Sequence, residues 1–464
     1  MSRSLEPTLS VTSVDVVIIG AGFAGLSAAD RLVSLGKSVR VVEGRDRVGG
    51  RSLTGQVAGV EVDFGATWVS PRHTAIRGLA ERVGCTTTDQ FAEGRNVLWM
   101  AGKRRTYAST IPKVSPVALV DMARVQLALE KLVATIDVDQ AWESPEADRL
   151  DTISFGEWLD QKHALSATRA LMTVVSKVQW GCTPGDVSLL HALRYIRAAG
   201  GVDHMLDVEG GQQQERYLQT TQEIAKRLAD QLGDSVLLGA PVRRVTQDDE
   251  GVTVHTDTEV ISASYAIVTA APAHRADIVF EPPLPEAAAG LARSWRMGVL
   301  SKAFVAYDKP FWRTNGLSGE AVTDTGTVFI TFDVSPEPTG PGILMAFCDP
   351  RVFDDFDQET RRSQVIKQLV DLYGEQASSP IDYVDHRWGA EPFAPGGPNP
   401  AVAPRATTTY GMALAEPHSR VHWAGTETAG EWAGCMNGAV LTGQRVAERV
   451  NELLPIRTPE GASR

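Results

Sequence analysis

The spacing of hydrophobic and polar positions changes several times along the chain, and each change marks an element. Asp15-Val16-Val17-Ile18-Ile19 is a short apolar run rich in β-branched residues, the pattern of a strand buried on both faces. After a glycine-rich turn, Leu26, Ala29, Leu32 and Val33 recur at helical spacing, and residues 38–42 read as a second strand. From Ile111 the period becomes helical. Ser115-Pro116 is a cap followed by proline at the first helical position, and Val117, Val120, Val125, Leu129, Leu132 and Ile136 mark one face. Ser154-Phe155-Gly156-Glu157 has the form of a capping box, and further helical patterns run over residues 171–179 and 187–198. Together these predict an all-helical insertion over about residues 89–215.

The α/β pattern then returns. A helix is predicted over residues 222–232 and strands over 236–238, 243–247, 252–256 and 265–270. Pro282-Pro283-Leu284-Pro285 marks a rigid connection. Residues 300–307 and 328–332 alternate like strands of a second, mixed sheet, and a helix follows over 361–372. Pro392 to Pro400 is rich in proline and glycine but too patterned for a linker. The last helix is predicted over residues 434–450, and 454–464 is a polar tail.

A chain of 464 residues is too long for one compact core and suits two domains. With 43% hydrophobic and 22% charged residues the composition is that of an ordinary globular protein. A formal net charge of −12 argues against nucleic acid as a partner. Cys85, Cys182, Cys348 and Cys435 are far apart, so they indicate neither a zinc site nor a disulfide framework, and a reducing cytoplasm is the expected location. Residues 1–13 lack the apolar core of a signal peptide. No apolar run reaches the ~18 residues of a membrane span, so no membrane anchor is expected.

The chemistry begins at Gly20-Ala21-Gly22-Phe23-Ala24-Gly25, a G-x-G-x-x-G placed between the first strand and its helix. Gly20 allows the tight turn, Gly22 lets the backbone approach a pyrophosphate, and Gly25 lets helix and strand pack closely. The helix N-terminus offers free N–H groups to the phosphates. Glu43 stands 18 residues beyond Gly25, near the spacing of roughly 20 for the acid that holds a ribose hydroxyl. Strand, loop, helix, strand and acid in this order predict a dinucleotide site.

The residues that follow separate FAD from NAD. Glu43-Gly44-Arg45-Asp46-Arg47-Val48-Gly49-Gly50-Arg51 resembles the E-x-R-x-R-x-G-G-R extension of the flavin amine oxidase family. Asp63-Phe64-Gly65-Ala66-Thr67-Trp68-Val69 and His422-Trp423-Ala424-Gly425-Thr426-Glu427-Thr428, with Trp432 and Gly438-Ala439-Val440 beyond, resemble the same family, nearest to its bacterial monoamine oxidases. The resemblance runs from about Val14 to Val450. It implies an α/β fold of the amine oxidase and glutathione reductase-like kind: a discontinuous Rossmann-type FAD-binding domain (13–88, 216–291, 392–453) and a substrate domain of mixed sheet and helices (89–215, 292–391).

The resemblance also implies roles. Gly20, Gly22, Ala24 and Gly25 would hold the pyrophosphate and Glu43 the adenosine ribose. Arg45, Gly50, Arg51, Gly65, Ala66, Thr67 and Val242 would contribute along the FAD. Gly425, Thr426, Glu427 and Met436 would meet its flavin end, where a helix N-terminus favours the reduced, anionic ring. Lys302 aligns with the family lysine that holds a water at flavin N5, where a cation aids electron transfer to O2. Trp180, Gln214, Phe329, Phe347, Trp388, Asn399 and Cys435 are placed around the substrate. No metal is called for, and the resemblance does not carry the membrane attachment of the animal enzymes with it.

Three departures qualify the pattern. The mammalian members attach FAD through a cysteine in the Gly-Gly loop, whereas Gly396-Gly397-Pro398 has no thiol there, so the FAD is expected to be non-covalent. The two aromatic positions that often flank the amine correspond to Asn399 and Cys435, so that cage is absent or rebuilt. Gln219-Thr220 stands where relatives have Gly-Gly. The expected reaction is oxidation of an amine to an imine with O2 reduced to hydrogen peroxide, a primary-amine imine then hydrolysing to aldehyde and ammonia. An L-amino acid oxidase, a tailoring oxidase on an unusual C–N bond, and a non-catalytic FAD scaffold or sensor stay open as alternatives. A homodimer also stays open.

Overall fold

The structure is a computed structural model and describes residues 10–108, 114–336 and 339–455. The predicted helical onset at Ile111, most of the tail after 454 and residues 1–9 lie outside the described residues.

Two sheets organise the molecule. The first has eight strands, in the order Val236–Leu237, Val39–Val42, Ser10–Ile19, Glu259–Val268, Val252–Thr256, Val242–Gln247 and Val279–Glu281, with Val421–Trp423 also pairing Glu259–Val268. Its centre is parallel: Val16 lies between Val39 and Tyr265, and Ala266 also faces Val421. Val16, Val17 and Ile18 are fully buried, as expected for a parallel strand covered on both faces. The helices Phe23–Ser34, Thr221–Leu232 and Met436–Leu453 share one core on one side of it. They approach closely: a Cβ on Gly443 would stand 2.2 Å from the carbonyl oxygen of Ala24.

The second sheet has seven strands, in the order Asp382–Arg387, Ser301–Tyr307, Gly342–Cys348, Val328–Asp333, Leu317–Thr323, Arg95–Met100 and Lys103–Tyr107. The helix Gln358–Tyr373 covers one face through Val365, Leu369 and Leu372. The other face carries Phe304, Phe329, Phe332 and Phe347. A helical group, Pro116–Val133, Phe155–Gln161, Ser166–Trp180 and Leu189–Ala198, forms a third core. The Ser154–Glu157 capping box is present in full.

Several expectations need correction. The segment read as an all-helical insertion opens with the hairpin Arg95–Met100 and Lys103–Tyr107, which extends the second sheet by two strands. Lys103–Tyr107 is an exposed charged edge, so it lacks the alternation that would mark a strand. In the helix Pro116–Val133 the buried line is Ala118, Asp121, Val125, Leu129 and Val133, while Val117 and Val120 are 69% and 70% exposed. The phase shifts because a polar residue sits on the buried face. The Asp121 carboxylate accepts from Leu165 N at 2.8 Å and Thr168 Oγ1 at 2.5 Å, satisfying the start of the next helix. Ile136 is buried beyond the helix end, and Val33 is largely exposed although Leu26, Ala29 and Leu32 are buried. The strand read at 265–270 begins earlier, at Glu259, whose carboxylate pairs with Arg40 at 2.8 Å.

Candidate active site

The glycine loop follows from steric necessity. Gly20 has φ +105°, and a Cβ there would meet Thr269 Oγ1 at 2.4 Å. A Cβ on Gly25 would come within 1.9 Å of Gly20 O, so only glycine lets this helix leave the strand. Gly22 differs. A Cβ there would meet nothing nearer than Gly50 Cα at 3.8 Å. Protein packing does not require glycine at 22, and the open space in front of it is a cradle. The helix begins at Phe23 with its N-terminus on that space.

This cradle is one end of a cavity of about 640 Å³. Gly20, Gly22, Ala24, Glu43, Arg45, Gly50, Arg51, Gly65, Ala66, Thr67, Val242, Gly425, Thr426 and Met436 line it. Glu43 is buried and fixes the loop by accepting from Ala21 N at 2.8 Å and Arg45 N at 3.0 Å, with lone pairs to spare for hydroxyls. Arg45 Nε lies 3.0 Å from Glu391 but out of line for a hydrogen bond, and Nε and Nη2 have no hydrogen-bond partner. Buried guanidinium donors without a hydrogen-bond partner and a free helix end fit an anionic dinucleotide. Arg51 donates to Pro398 O at 3.0 Å and pairs with Glu427 at 2.7 Å. Gly25 and Glu427 therefore stand behind the lining rather than in it. A second helix N-terminus, at Met436 with Cys435 in the N-cap position and no side-chain cap, opens on the same cavity.

Lys302 stands where the second sheet meets the Asp63–Thr67 turn. In its strand it faces His386 on one side and Phe347 on the other. Its buried ammonium donates to Gly65 O at 2.5 Å, Thr67 Oγ1 at 2.8 Å and Asp63 O at 3.2 Å. Burial pushes its pKa down, and the nearby Asp63 carboxylate opposes that. Asp63 in turn accepts from Thr221 N at 2.8 Å, so the start of the helix Thr221–Leu232 holds the Gly65–Thr67 turn. Thr220, where a glycine was expected, keeps φ +64°, and its hydroxyl meets Thr54 Oγ1 at 2.5 Å.

The other end of the cavity is built from side chains. Phe347, Trp388, Asn399 and Cys435 line it, as does Trp68. Trp388 Nε1 donates to Phe64 O at 2.9 Å. Trp180, Gln214 and Phe329 are not among the lining residues. Trp180 is fully buried against Phe155 and Tyr195, and Gln214 turns its amide oxygen to Gly210 N. Phe329 packs behind Phe347.

Sequence reasoning missed Tyr195, Gln179, His73 and Gln212, all of which line this end. Asn399 Nδ2 donates to Gln179 O at 2.8 Å and to Tyr195 OH at 2.9 Å, and Tyr195 OH donates to Gln179 Oε1 at 3.2 Å. A backbone carbonyl can only accept, so the Asn399 amide has one orientation. Gly434 has no Cβ to strike Asn399 Oδ1 or the Tyr195 ring, which would otherwise lie at 2.4 Å and 2.6 Å. Burial pushes the Cys435 thiol up to about 12 and His73 down to about 3, so both are neutral. Tyr195 lies about 170 residues beyond the glycine loop, in the helix Leu189–Ala198, and its signal was hidden in an ordinary apolar helix pattern.

Residues 23–451 match the family model of flavin-containing amine oxidoreductases. A Mycobacterium tuberculosis protein carrying the name flavin-containing monoamine oxidase AofH is 50% identical over 442 residues, covering 95% of this chain and 97% of that protein. An L-amino acid dehydrogenase of Synechocystis is 30% identical, covering 96% of each. Among solved structures, putrescine oxidase with bound putrescine superposes with a TM-score of 0.91 at 29% identity, covering 95% of this chain and all of that one. Cyclohexylamine oxidase from Brevibacterium oxydans superposes with a TM-score of 0.90 at 30% identity, covering 95% and 99%.

Proposed function

The chain belongs to the flavin-containing amine oxidoreductases, with FAD as cofactor and amines as substrate class, and on that premise we propose that it is an O2-dependent oxidase of amines rather than of amino acids. The observation that carries the reading is the meeting of the glycine cradle, the buried Lys302 ammonium and an aromatic-lined end in one cavity. When bound, FAD supplies the two-electron acceptor for the C–H bond beside the amine nitrogen. The protein's part is to position and to exclude water. Trp68, Phe347 and Trp388 offer apolar surface that favours the neutral amine, whose lone pair the oxidation needs. Burial lowers the Lys302 pKa to about 7 and the Asp63 carboxylate favours the protonated amine, so a cation is available where the two ends meet, a placement that suits electron transfer to O2.

A carboxylate would need a cationic clamp. The Lys and Arg residues among the cavity lining are Arg45, Arg51, Arg243 and Lys302. Arg51 and Arg243 are paired with Glu427 and Asp257, Arg45 belongs to the glycine-loop end, and Lys302 is tied to three acceptors. This set favours an amine over an amino acid.

The reading includes FAD held non-covalently, supported by Pro398 at the loop and by a neutral, half-buried Cys435. It divides the chain into an FAD domain (13–88, 216–291, 392–453) and a substrate domain (89–215, 292–391). That division is supported by the origin of the eight strands of one sheet and the seven of the other in those respective segments. A cytoplasmic location accords with four unpaired cysteines.

The test is anaerobic mixing of the yellow protein with a panel of amines and amino acids. The oxidised flavin absorbance should bleach with amines alone, and air should restore it with release of H2O2. Bleaching by amino acids in preference would reverse the substrate assignment, and no bleaching by any donor would favour a non-catalytic flavoprotein. Denaturation should leave FAD in the supernatant; flavin retained in the pellet would overturn the non-covalent reading.

A further inference from the structure

The loop that runs from Glu391 to Asn399 supplies Phe393, Ala394, Gly396, Gly397 and Pro398 to the cavity wall. It is fastened to one motif at three points. At its start, the Glu391 carboxylate lies 2.7 Å from Arg47 Nη2 and 3.0 Å from Arg45 Nε, and its other oxygen lies 3.3 Å from His386 Nε2. In its middle, the Phe393 ring rests on Gly44, close enough that a Cβ there would stand 3.1 Å from the ring. At its end, Arg51 donates to Pro398 O. Residues 44, 45, 47 and 51 all belong to the segment that follows the ribose acid Glu43. The loop lies over the cofactor end as a strap, and the arginines that line or back the cavity are the posts to which it is tied.

We propose that Glu391 is a positioning residue that latches this strap over the bound FAD and sets how fast the cofactor leaves. The inference rests on the cavity being the FAD site. Glu391 itself is not a lining residue, so it acts through Arg45, Arg47 and the strap. Past its middle the strap is also held by Gly396 N to Trp388 O and Gly397 N to Gly298 O, both at 2.8 Å, whereas nearer Glu391 Phe393 is 47% exposed and sits at φ +62°. Two arginines on one carboxylate make the closure electrostatic, and such pairs act mainly on dissociation rates.

The experiment follows FAD release from the FAD-loaded protein after dilution, by the fluorescence of the free cofactor. Glu391→Gln keeps the shape and removes the charge. Release should quicken by about ten- to a hundredfold, the range for losing one partner of a largely buried pair. Arg47→Gln should also quicken it, though less because Arg45 still faces the carboxylate, and the double variant should add little to Glu391→Gln alone, because Arg47 acts through that carboxylate. In a large excess of FAD the melting temperature of Glu391→Gln should stay within ~2 °C of wild type, since mass action refills the site. A release rate within about twofold of wild type, a double variant whose effects multiply, or a melting temperature that falls despite excess FAD would each overturn the latch. Failure of the wild-type protein to hold FAD at all would instead overturn the cofactor assignment on which it rests.

Discussion

The two ends of the cavity are made in different ways. The cofactor end is backbone: glycines at 20, 22 and 25, two helix N-termini, and carbonyls held in place by Thr221 and Lys302. The substrate end is side chain: Phe347 from one sheet, Tyr195 and Gln179 from two helices, and Asn399 and Cys435 from two loops. Backbone geometry follows from short-range spacing and tolerates little change. A wall assembled from distant side chains can be altered one residue at a time. The first end therefore fixes the cofactor, and the second is where a substrate preference can drift.

The largest effect should come from the glycine that packing demands. Gly25→Ala places a methyl 1.9 Å from Gly20 O and 3.3 Å from Ile18 Cγ2, and the fixed Gly20 backbone leaves it no room. It should destabilise the fold by more than about 3 kcal/mol, beyond ordinary overpacking. Gly22→Ala, with its nearest atom at 3.8 Å, should leave the FAD-free protein's melting temperature within ~2 °C. It should nevertheless weaken FAD binding at least about tenfold by filling the cradle. Thermal melts and FAD titrations of the two variants would break the comparison if both lost stability equally.

That contrast also explains what could be read from the chain. The strand, loop, helix and acid at residues 15–43 obey local rules, so their elements and their placement at the cavity were legible. Lys302, Trp388, Asn399 and Cys435 were reachable only through resemblance to a family, and they do line the cavity. Tyr195 was not reachable, because a buried tyrosine in Leu189–Ala198 looks like core until its hydroxyl is seen between Asn399 and Gln179. Trp180 was assigned to the cavity, yet it is the ring behind Tyr195. The hairpin at 95–107 was missed because a charged edge strand hides the period of two. The Glu391–Arg47 pair joins residues with no local rule connecting them.

Lys302 belongs to both ends, and its loss should come next in size. Lys302→Met removes the cation and leaves Gly65 O, Thr67 Oγ1 and Asp63 O without their donor. Stopped-flow should show reoxidation by O2 slowed by about tenfold to a thousandfold, the scale of one lost electrostatic stabiliser. Reduction by amine should change far less. If reduction slows as much as reoxidation, the lysine serves the turn at Gly65–Thr67 rather than O2.

Moving to the substrate end, Cys435→Tyr should change preference without touching the glycine loop at residues 20–25. The thiol is neutral and smaller than a phenol ring, and with Asn399 it leaves both cage positions without an aromatic face. The wild type should accept bulky amines and use benzylamine or short alkylamines poorly. The substitution should shift the ratio of kcat/KM values towards small amines by about 1–3 kcal/mol, the range for pocket reshaping. An unchanged ratio, with small amines already well used by the wild type, would mean that other rings such as Trp388 or Tyr195 rebuild the slot.

The smallest change isolates one hydroxyl. Tyr195 is buried, and burial pushes its ionisation well above the usual phenol range, so it remains a neutral OH. That OH accepts from Asn399 Nδ2 and donates to Gln179 Oε1, and so joins two side chains of the substrate wall. Tyr195→Phe keeps the ring against Trp180 and Gly434 and removes only this link. Asn399 retains its bond to Gln179 O, so the amide should loosen rather than turn over. The loss should be about 1 kcal/mol, the net value of one or two neutral hydrogen bonds, read as a roughly threefold to tenfold fall in kcat/KM. It should fall mainly on KM, because the link positions the wall on which the amine rests and takes no part in electron transfer. FAD affinity should not move, since the cradle is at the other end of the cavity. If steady-state kinetics show an unchanged KM while FAD titration shows weakened binding, Tyr195 belongs to the cofactor end, and the division between a backbone-built cradle and a side-chain-built wall is drawn in the wrong place.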